Sequence, residues 1–242
     1  MEPRAEGPAG SNRAEGAHVG TGQPVRRNGS EASSNGRTAD FGSAYEGSNP
    51  SASASSAARP ANLRAELRPL ARPPHVLLVA IGGVSHRLVA SAAEAIAEAL
   101  HIPARILPSL DRPQYAFNKD RRQYHATSIL RRLASLRTPP VPVVGMIDVD
   151  LFLPDAPYVI GEADRDAGAA VFSLARLSHT DPERVKRRAR VETVHGAGHL
   201  LGLSHCSDFR CAMFVSRDAA DADRKGPGPC ASCRAALGLP AP

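Results

Sequence analysis

The sequence predicts an α/β (α+β) fold, with a mixed sheet, flanking helices and a small C-terminal subdomain. Apolar runs typical of buried strands alternate with amphipathic segments between residues 75 and 177. A long polar helix follows, and all four cysteines lie after it. Residues 71–242 are enough to bury one core. We expect a cleft to divide this domain into an upper lobe at about 75–202 and a lower lobe at about 203–240.

The first 70 residues have a different composition. Gly, Ser, Ala, Asn, Arg and Glu dominate them without apolar periodicity, so they bury too little surface to offset the entropy of ordering. We therefore expect residues 1–70 to form a disordered tail. Residues 34–50 also resemble a transfer-RNA gene translated in frame. This resemblance favours the hypothesis that the start codon was assigned too far upstream, in which case we expect the natural N-terminus after about residue 50.

The first predicted elements are a strand, a helix and a second strand. Residues 75–81 form a short apolar run closed by two glycines, which predicts a buried strand. Ser85 is a suitable N-cap for a helix that runs to about His101. The apolar residues of this helix recur on one face: Leu88, Ala92, Ile96 and Leu100. Residues 102–107 offer the second strand.

Five further elements follow. Residues 119–136 predict a basic amphipathic helix with Tyr124, Ile129 and Leu133 near its apolar side. Strands are predicted at residues 143–149, 158–162 and 169–177. The last helix begins near Asp181, where an aspartate cap, a proline at the first position and an acidic first turn coincide, and it runs to His199.

Three histidines have the spacing of a zinc site. His195 and His199 are four residues apart, so both imidazoles lie on one face of a helix. Gly202 can adopt a positive φ and end the helix, which lets His205 approach as a third ligand. Three imidazoles leave one tetrahedral position open, as catalytic zinc sites do. The alternative, ordinary polar positions on an amphipathic helix, is disfavoured by the spacing and the glycine.

The residue after the first histidine is Gly196, where zinc hydrolases of the HExxH type carry a general-base glutamate. Glycine has no group that moves a proton, so the sequence predicts zinc binding with impaired turnover. Glu192 lies about one helical turn further from the metal. We interpret it as a partner that supports a histidine ligand, with a solvated helix charge as an equal alternative.

All four cysteines have metal-cage spacing: Cys206 and Cys211 form C-x4-C, and Cys230 and Cys233 form C-x2-C. The connecting residues 218–229 have no apolar period and cannot pack alone. A second, structural zinc is therefore favoured, and disulfides are the alternative. Met213, between the pairs, is either an apolar floor beneath the first metal or core filler.

With these elements assembled, the chain resembles the archaemetzincins, a family of metzincin-like zinc metallopeptidases. The family pattern is HExxHxxGxxHC-x4-C-x-M followed by CxxC, and the order here is the same. The resemblance covers about residues 75–238 and includes residues 122–124, 148–152, 161–163 and 173–177.

The resemblance implies a metzincin-like fold and hydrolysis of peptide bonds in peptide or protein substrates. It implies two Zn²⁺ ions: a catalytic one on the three histidines and a structural one on the four cysteines. Met213 becomes the Met-turn residue, and the family's glutamate falls at Gly196. An edge strand near residues 169–177 is expected to align the substrate by strand addition.

Two hypotheses lead: an impaired zinc metallopeptidase, and a zinc-binding pseudoenzyme that binds peptides without hydrolysing them. A net charge of +6 permits contact with nucleic acid. The basic residues lack interleaved aromatics, however, so a nucleic-acid-binding zinc module, based on the basic run 184–190, ranks third and is not expected. The sequence has no secretory apolar region and no apolar run of about 18 residues. We expect a cytoplasmic protein with no membrane partner.

Overall fold

The computed structural model describes residues 72–240, so the expected tail and start site lie outside the described residues. The strands are β1 (Val76–Ile81), β2 (Ala104–Ile106), β3 (Phe117–Asn118), β4 (Gln123–His125), β5 (Val143–Ile147), β6 (Leu151–Leu153), β7 (Ala156–Val159), β8 (Gly161–Asp164) and β9 (Ala169–Ser173). The helices are α1 (His86–Leu100), α2 (Ala126–Ala134), α3 (Pro182–Leu200), α4 (Ala219–Arg224) and α5 (Ala231–Ala236).

The main sheet is mixed, as predicted. Its strand order is β2-β1-β5-β9-β8, with four parallel strands and β8 antiparallel at one edge. Every residue of β1, β5 and β9 is buried, because helices cover both faces. Helices α1 and α3 pack on one face and α2 packs on the other. The apolar runs of the sequence therefore become a three-layer core.

Helix α1 has the predicted boundaries. The Ser85 side chain accepts a hydrogen bond from the Leu88 N–H, and His101 ends the helix with a φ of 54°. The predicted apolar face is buried at Ala92, Ile96 and Leu100. The N-cap and the helical period of the apolar residues were therefore sufficient to predict the boundaries and the buried face of α1.

The helix predicted at residues 119–136 is wrong in its first part. Arg122 has a φ of 56°, and residues 123–125 form β4 instead. This strand belongs to a small second sheet in the order β3-β4-β6-β7. Tyr124 pairs with Leu151, a residue far along the chain, and its ring lies 5.0 Å from that of Phe117. Distant pairing therefore overrides the helical period, and α2 begins only at Ala126.

Two predicted strands also need correction. Residues 158–162 are divided between β7 and β8, which belong to different sheets. The strand predicted at 169–177 ends at Ser173, whose hydroxyl donates to the Val149 carbonyl and accepts from the Ala175 N–H. Strand β9 is not an edge strand, because β5 and β8 flank it. Strand β8 forms the edge on this side.

Helix α3 begins where it was predicted, and its basic residues hold it in place. The Asp181 carboxylate caps the helix by accepting from the Glu183 N–H at 2.9 Å. Arg188 donates two hydrogen bonds to Asp223, at 2.8 and 2.6 Å, and Arg190 donates to the Ser91 carbonyl of α1. The run that suggested nucleic-acid binding is thus largely engaged in internal contacts. Among residues 72–240, no helix is both long and apolar enough to cross a membrane.

Candidate metal centres

The structure brings the three predicted histidines together. Helix α3 carries His195 and His199 on one face, with ring centroids 4.5 Å apart and ring planes at 89°. The chain then turns at Gly202, which has a φ of 100°. This turn brings the His205 ring to 4.8 Å from that of His199. One nitrogen from each ring lies within 4.8 Å of the others, so the three side chains can hold one metal ion.

Backbone carbonyls fix which nitrogens face the centre. His195 Nδ1 lies 2.9 Å from the Ala212 oxygen, and His199 Nδ1 lies 2.8 Å from the Leu203 oxygen. A carbonyl only accepts, so Nδ1 carries the proton in both rings and each Nε2 presents a lone pair. These two Nε2 atoms are 3.0 Å apart. Two nitrogens on a tetrahedral zinc are about 3.3 Å apart, so the pair suits a shared cation.

The surroundings keep the imidazoles neutral. Burial lowers the pKa of His195 far below its usual value, and the positive charge of Lys225 lowers it further. Burial also lowers the pKa of His199. Burial, with smaller contributions from His199 and Lys225, lowers the pKa of His205 to about 4. All three rings are thus in the form that binds metal at neutral pH.

Two glycines of α3 have opposite surroundings. A Cβ at Gly196 would lie 3.4 Å from the Ala170 Cβ, an ordinary contact, so a side chain fits there. A Cβ at Gly198 would lie only 2.4 Å from the Met213 sulfur. Met213 is fully buried against this turn of the helix, next to the histidine-bearing face. Glycine at 198 is what allows the methionine to approach so closely.

Glu192 is buried rather than solvated, and it pairs with a lysine that lies beside His195. Its Oε1 accepts from Lys225 Nζ at 3.0 Å and from Ser216 Oγ at 2.6 Å. Within the described part of the chain it makes no hydrogen bond to an imidazole. Lys225 Nζ also lies 3.3 Å from His195 Nδ1, a contact between two donors rather than a hydrogen bond. Sequence reasoning missed Lys225, because a lysine in a Gly- and Pro-rich stretch gives no burial signal.

The four cysteines form a second cluster. The Sγ atoms of Cys206 and Cys230 are 3.8 Å apart, as are those of Cys211 and Cys233. Thiolates placed tetrahedrally around zinc at about 2.3 Å are about 3.8 Å apart. No disulfide joins these cysteines, so the disulfide alternative is wrong for this structure. The Cys211 sulfur also accepts from the Cys230 N–H at 3.2 Å, a contact suited to a thiolate.

Comparisons with known proteins identify relatives of this chain. Residues 89–238 match peptidase family M54. The chain is 39% identical to an archaemetzincin of Archaeoglobus fulgidus over 129 residues, which are 53% of this chain and 77% of that protein. It is 34% identical to an archaemetzincin of Aeropyrum pernix over 170 residues, which are 67% of this chain and 92% of that protein.

A solved structure agrees with the sequence matches. The crystal structure of an archaemetzincin from Methanopyrus kandleri superposes with a TM-score of 0.61 at 30% identity. The superposition covers 70% of this chain and 97% of that chain. Because the family match spans more than half of the chain and the fold is shared with these relatives, the chain belongs to peptidase family M54, the archaemetzincin-type zinc metallopeptidases.

Proposed function

We propose that this protein is a zinc peptidase of the archaemetzincin type whose turnover is impaired by Gly196. In this proposal His195, His199 and His205 hold the catalytic zinc, with Met213 beneath it. The four cysteines hold a second, structural zinc. The substrates are peptides or proteins of the cytoplasm, where thiols stay reduced. The observation that carries the proposal is the pair of Nε2 atoms 3.0 Å apart whose rings both bond carbonyls through Nδ1.

The substrate is aligned by the main sheet. When bound, zinc supplies an acidified water and polarises the scissile carbonyl. The free edge of β8 pairs with an extended peptide backbone, as in other strand-addition complexes. Position 196 faces Ala170, and Ala170 pairs with Ala163 of β8. A Cβ at position 196 also lies 3.7 Å from Val144 of β5, so a glutamate there leaves the helix on the side of the main sheet, and glycine leaves that place without a proton carrier.

Glu192 does not replace the missing base. Glu192 is 3% exposed, and its Oε1 already accepts from Lys225 and Ser216. It is therefore held away from a proton-transfer role. A positioned acid or base contributes about 10²- to 10⁴-fold to a rate. We expect the wild-type protein to fall short of a glutamate variant by a factor in this range.

The test compares peptide hydrolysis by the wild type, Gly196→Glu and Gly196→Gln, all purified without chelators. Glutamine matches the size of glutamate but does not transfer the proton. We expect two zinc ions per chain in all three proteins, and a kcat/KM about 10²- to 10⁴-fold higher in Gly196→Glu alone. His199→Ala should abolish that activity. Wild-type cleavage equal to that of Gly196→Glu, and lost in His199→Ala, would contradict the impairment.

A pseudoenzyme that binds peptides is the second candidate, and Gly196 together with the engaged Glu192 favours it. The two candidates differ in residual turnover. Slow, zinc-dependent cleavage by the wild type supports the peptidase. Saturable binding of a peptide, with cleavage only in Gly196→Glu, supports the pseudoenzyme. If the Gly196→Glu variant binds both zinc ions but cleaves no peptide, the proposal of a zinc peptidase is contradicted.

A further inference from the structure

Lys225 is an unexpected side chain beside the candidate metal centres. Its side chain is 0% exposed, and its Nζ lies 3.0 Å from Glu192 Oε1. Lysine is almost never fully buried unless it is paired. A buried ion pair is often no more stabilising than an apolar pair of the same volume. A gain in folding stability therefore does not by itself explain why Glu192 and Lys225 are buried here.

The ion pair joins the zinc helix to the segment that carries the cysteines. Glu192 lies on α3 one turn before His195, and Lys225 lies five residues before Cys230. The chain around Lys225 is bonded to the chain around Cys211. The Gly226 N–H donates to the Arg210 carbonyl at 2.6 Å, and the Ala212 N–H donates to the Gly228 carbonyl at 3.0 Å. We call residues 210–213 and 225–228 the paired segment.

The paired segment orients His195 through one backbone carbonyl. The Ala212 carbonyl lies 2.9 Å from His195 Nδ1 and accepts a hydrogen bond from it. Lys225 Nζ lies 3.3 Å from the same nitrogen, but an ammonium only donates, so Lys225 makes no hydrogen bond to the protonated Nδ1 and acts through Glu192 instead. Ala212 directly follows Cys211, so its carbonyl belongs to the same stretch of backbone as one of the four cysteines. The orientation of the His195 ring is thus set by the paired segment as well as by α3. The Glu192 carboxylate accepts hydrogen bonds from both Lys225 and Ser216.

We propose that Glu192 and Lys225 are positioning residues through which the paired segment holds the His195 ring in its metal-binding orientation. The proposal rests on the metal centres of the proposed function and adds two residues to them. Groups behind metal ligands typically change metal affinity by about 10- to 100-fold. The expected signature is a weakened histidine centre beside an unchanged cysteine centre, whereas a merely structural pair would lower stability without this selectivity.

The test uses the double variant Glu192→Gln, Lys225→Met, which removes the link and leaves no unpaired buried charge. Metal-free proteins are titrated with Co²⁺, because the thiolate charge-transfer band reports the cysteine centre and the weaker visible bands report the histidine centre. We expect the Kd of the histidine centre to rise about 10- to 100-fold, with the Kd of the cysteine centre unchanged.

The chain offers a matched control in Glu183→Gln, Lys186→Met, which removes an exposed pair 3.3 Å apart on the same helix. This control should bind Co²⁺ like the wild type at both centres. The proposal is overturned if the double variant Glu192→Gln, Lys225→Met folds and the Kd of its histidine centre for Co²⁺ stays within about twofold of the wild-type value.

If the double variant does not fold, Ser216→Ala tests the proposal instead, because it removes only the hydrogen bond from Ser216 that orients Glu192. A histidine centre weakened severalfold in Ser216→Ala supports the proposal, and wild-type affinity overturns it. Failure of the wild type itself to bind Co²⁺ at the histidines would contradict the proposed metal centre. That outcome is distinct from failure of the positioning role.

Discussion

The two candidate metal centres are built in opposite ways. The histidine centre lies on α3, a 19-residue helix packed on a buried sheet, and the rings are oriented by carbonyls. The cysteine centre lies among α4 and α5, helices of six residues each, with a buried apolar cluster of only Leu203, Cys211 and Met213. Helices this short are not stable alone. The fold holds the histidine centre in place, whereas we expect a metal ion at the cysteine centre to hold the residues around it.

The largest effect that sharpens this contrast is expected from Cys233→Ser. Structural zinc contributes about 10–16 kcal/mol in zinc-finger peptides, which exceeds the stability of most domains. Loss of one thiolate should therefore unfold the region of residues 203–240. Limited proteolysis followed by mass spectrometry measures this directly.

His199→Ala is the matched control, because it removes one ligand of the other centre. It should release one metal ion and leave residues 203–240 as protease-resistant as in the wild type. Equal sensitivity of the two variants to protease would break the contrast between the centres.

A smaller effect is expected from acid. In the unfolded chain the histidines bind protons below about pH 6.5. In the folded, metal-free protein their pKa values are lower, and that of His205 is about 4. Between these pH values the unfolded state binds more protons, so the free energy of unfolding should fall as the pH drops from about 6.5 to about 4.

Urea denaturation of the metal-free protein at several pH values measures this dependence. His205→Gln should show a shallower decrease, because one of the three titrating groups is removed. A free energy of unfolding that is constant across the range would contradict the burial of the histidines.

The smallest effects concern the two glycines of α3. Gly198→Ala forces a Cβ against the Met213 sulfur and should destabilise the protein by about 1–3 kcal/mol. Gly196→Ala meets only ordinary contacts and should stabilise the helix by up to about 1 kcal/mol. Urea denaturation of the zinc-loaded proteins compares them. Equal changes in the free energy of unfolding of the two variants would show that contact with Met213 does not require glycine at position 198.

Local signals predicted the elements that depend on local physics. The Asp181 cap and the spacing of His195, His199 and His205 act within a few residues, so the zinc helix and its three converging rings were predicted from sequence. The cysteine spacing was equally informative, because ligand pairs are close along the chain. The roles of these side chains as zinc ligands stay a proposal that metal analysis tests.

The features that the sequence did not predict depend on contacts between residues that are far apart along the chain. Tyr124 fits a helical period, but its strand pairs with Leu151. Strand β9 was expected at an edge, and only the position of β8 beside it shows otherwise. The division into two lobes stays a prediction. Glu192 and Lys225 are far apart along the chain, so no local pattern indicated their ion pair.

The order of elements along the chain has a consequence for synthesis. The main sheet is complete at Ser173, whereas all seven candidate ligands lie between His195 and Cys233. Chains emerge from the ribosome at about 5–20 residues per second, with N-terminal parts first. The sheet therefore emerges with Ala170 and Phe172 still uncovered, until α3 arrives to bury them. The seven candidate ligands therefore emerge after the sheet that α3 packs against, and a chain released before Cys233 lacks one of the four thiols of the cysteine centre.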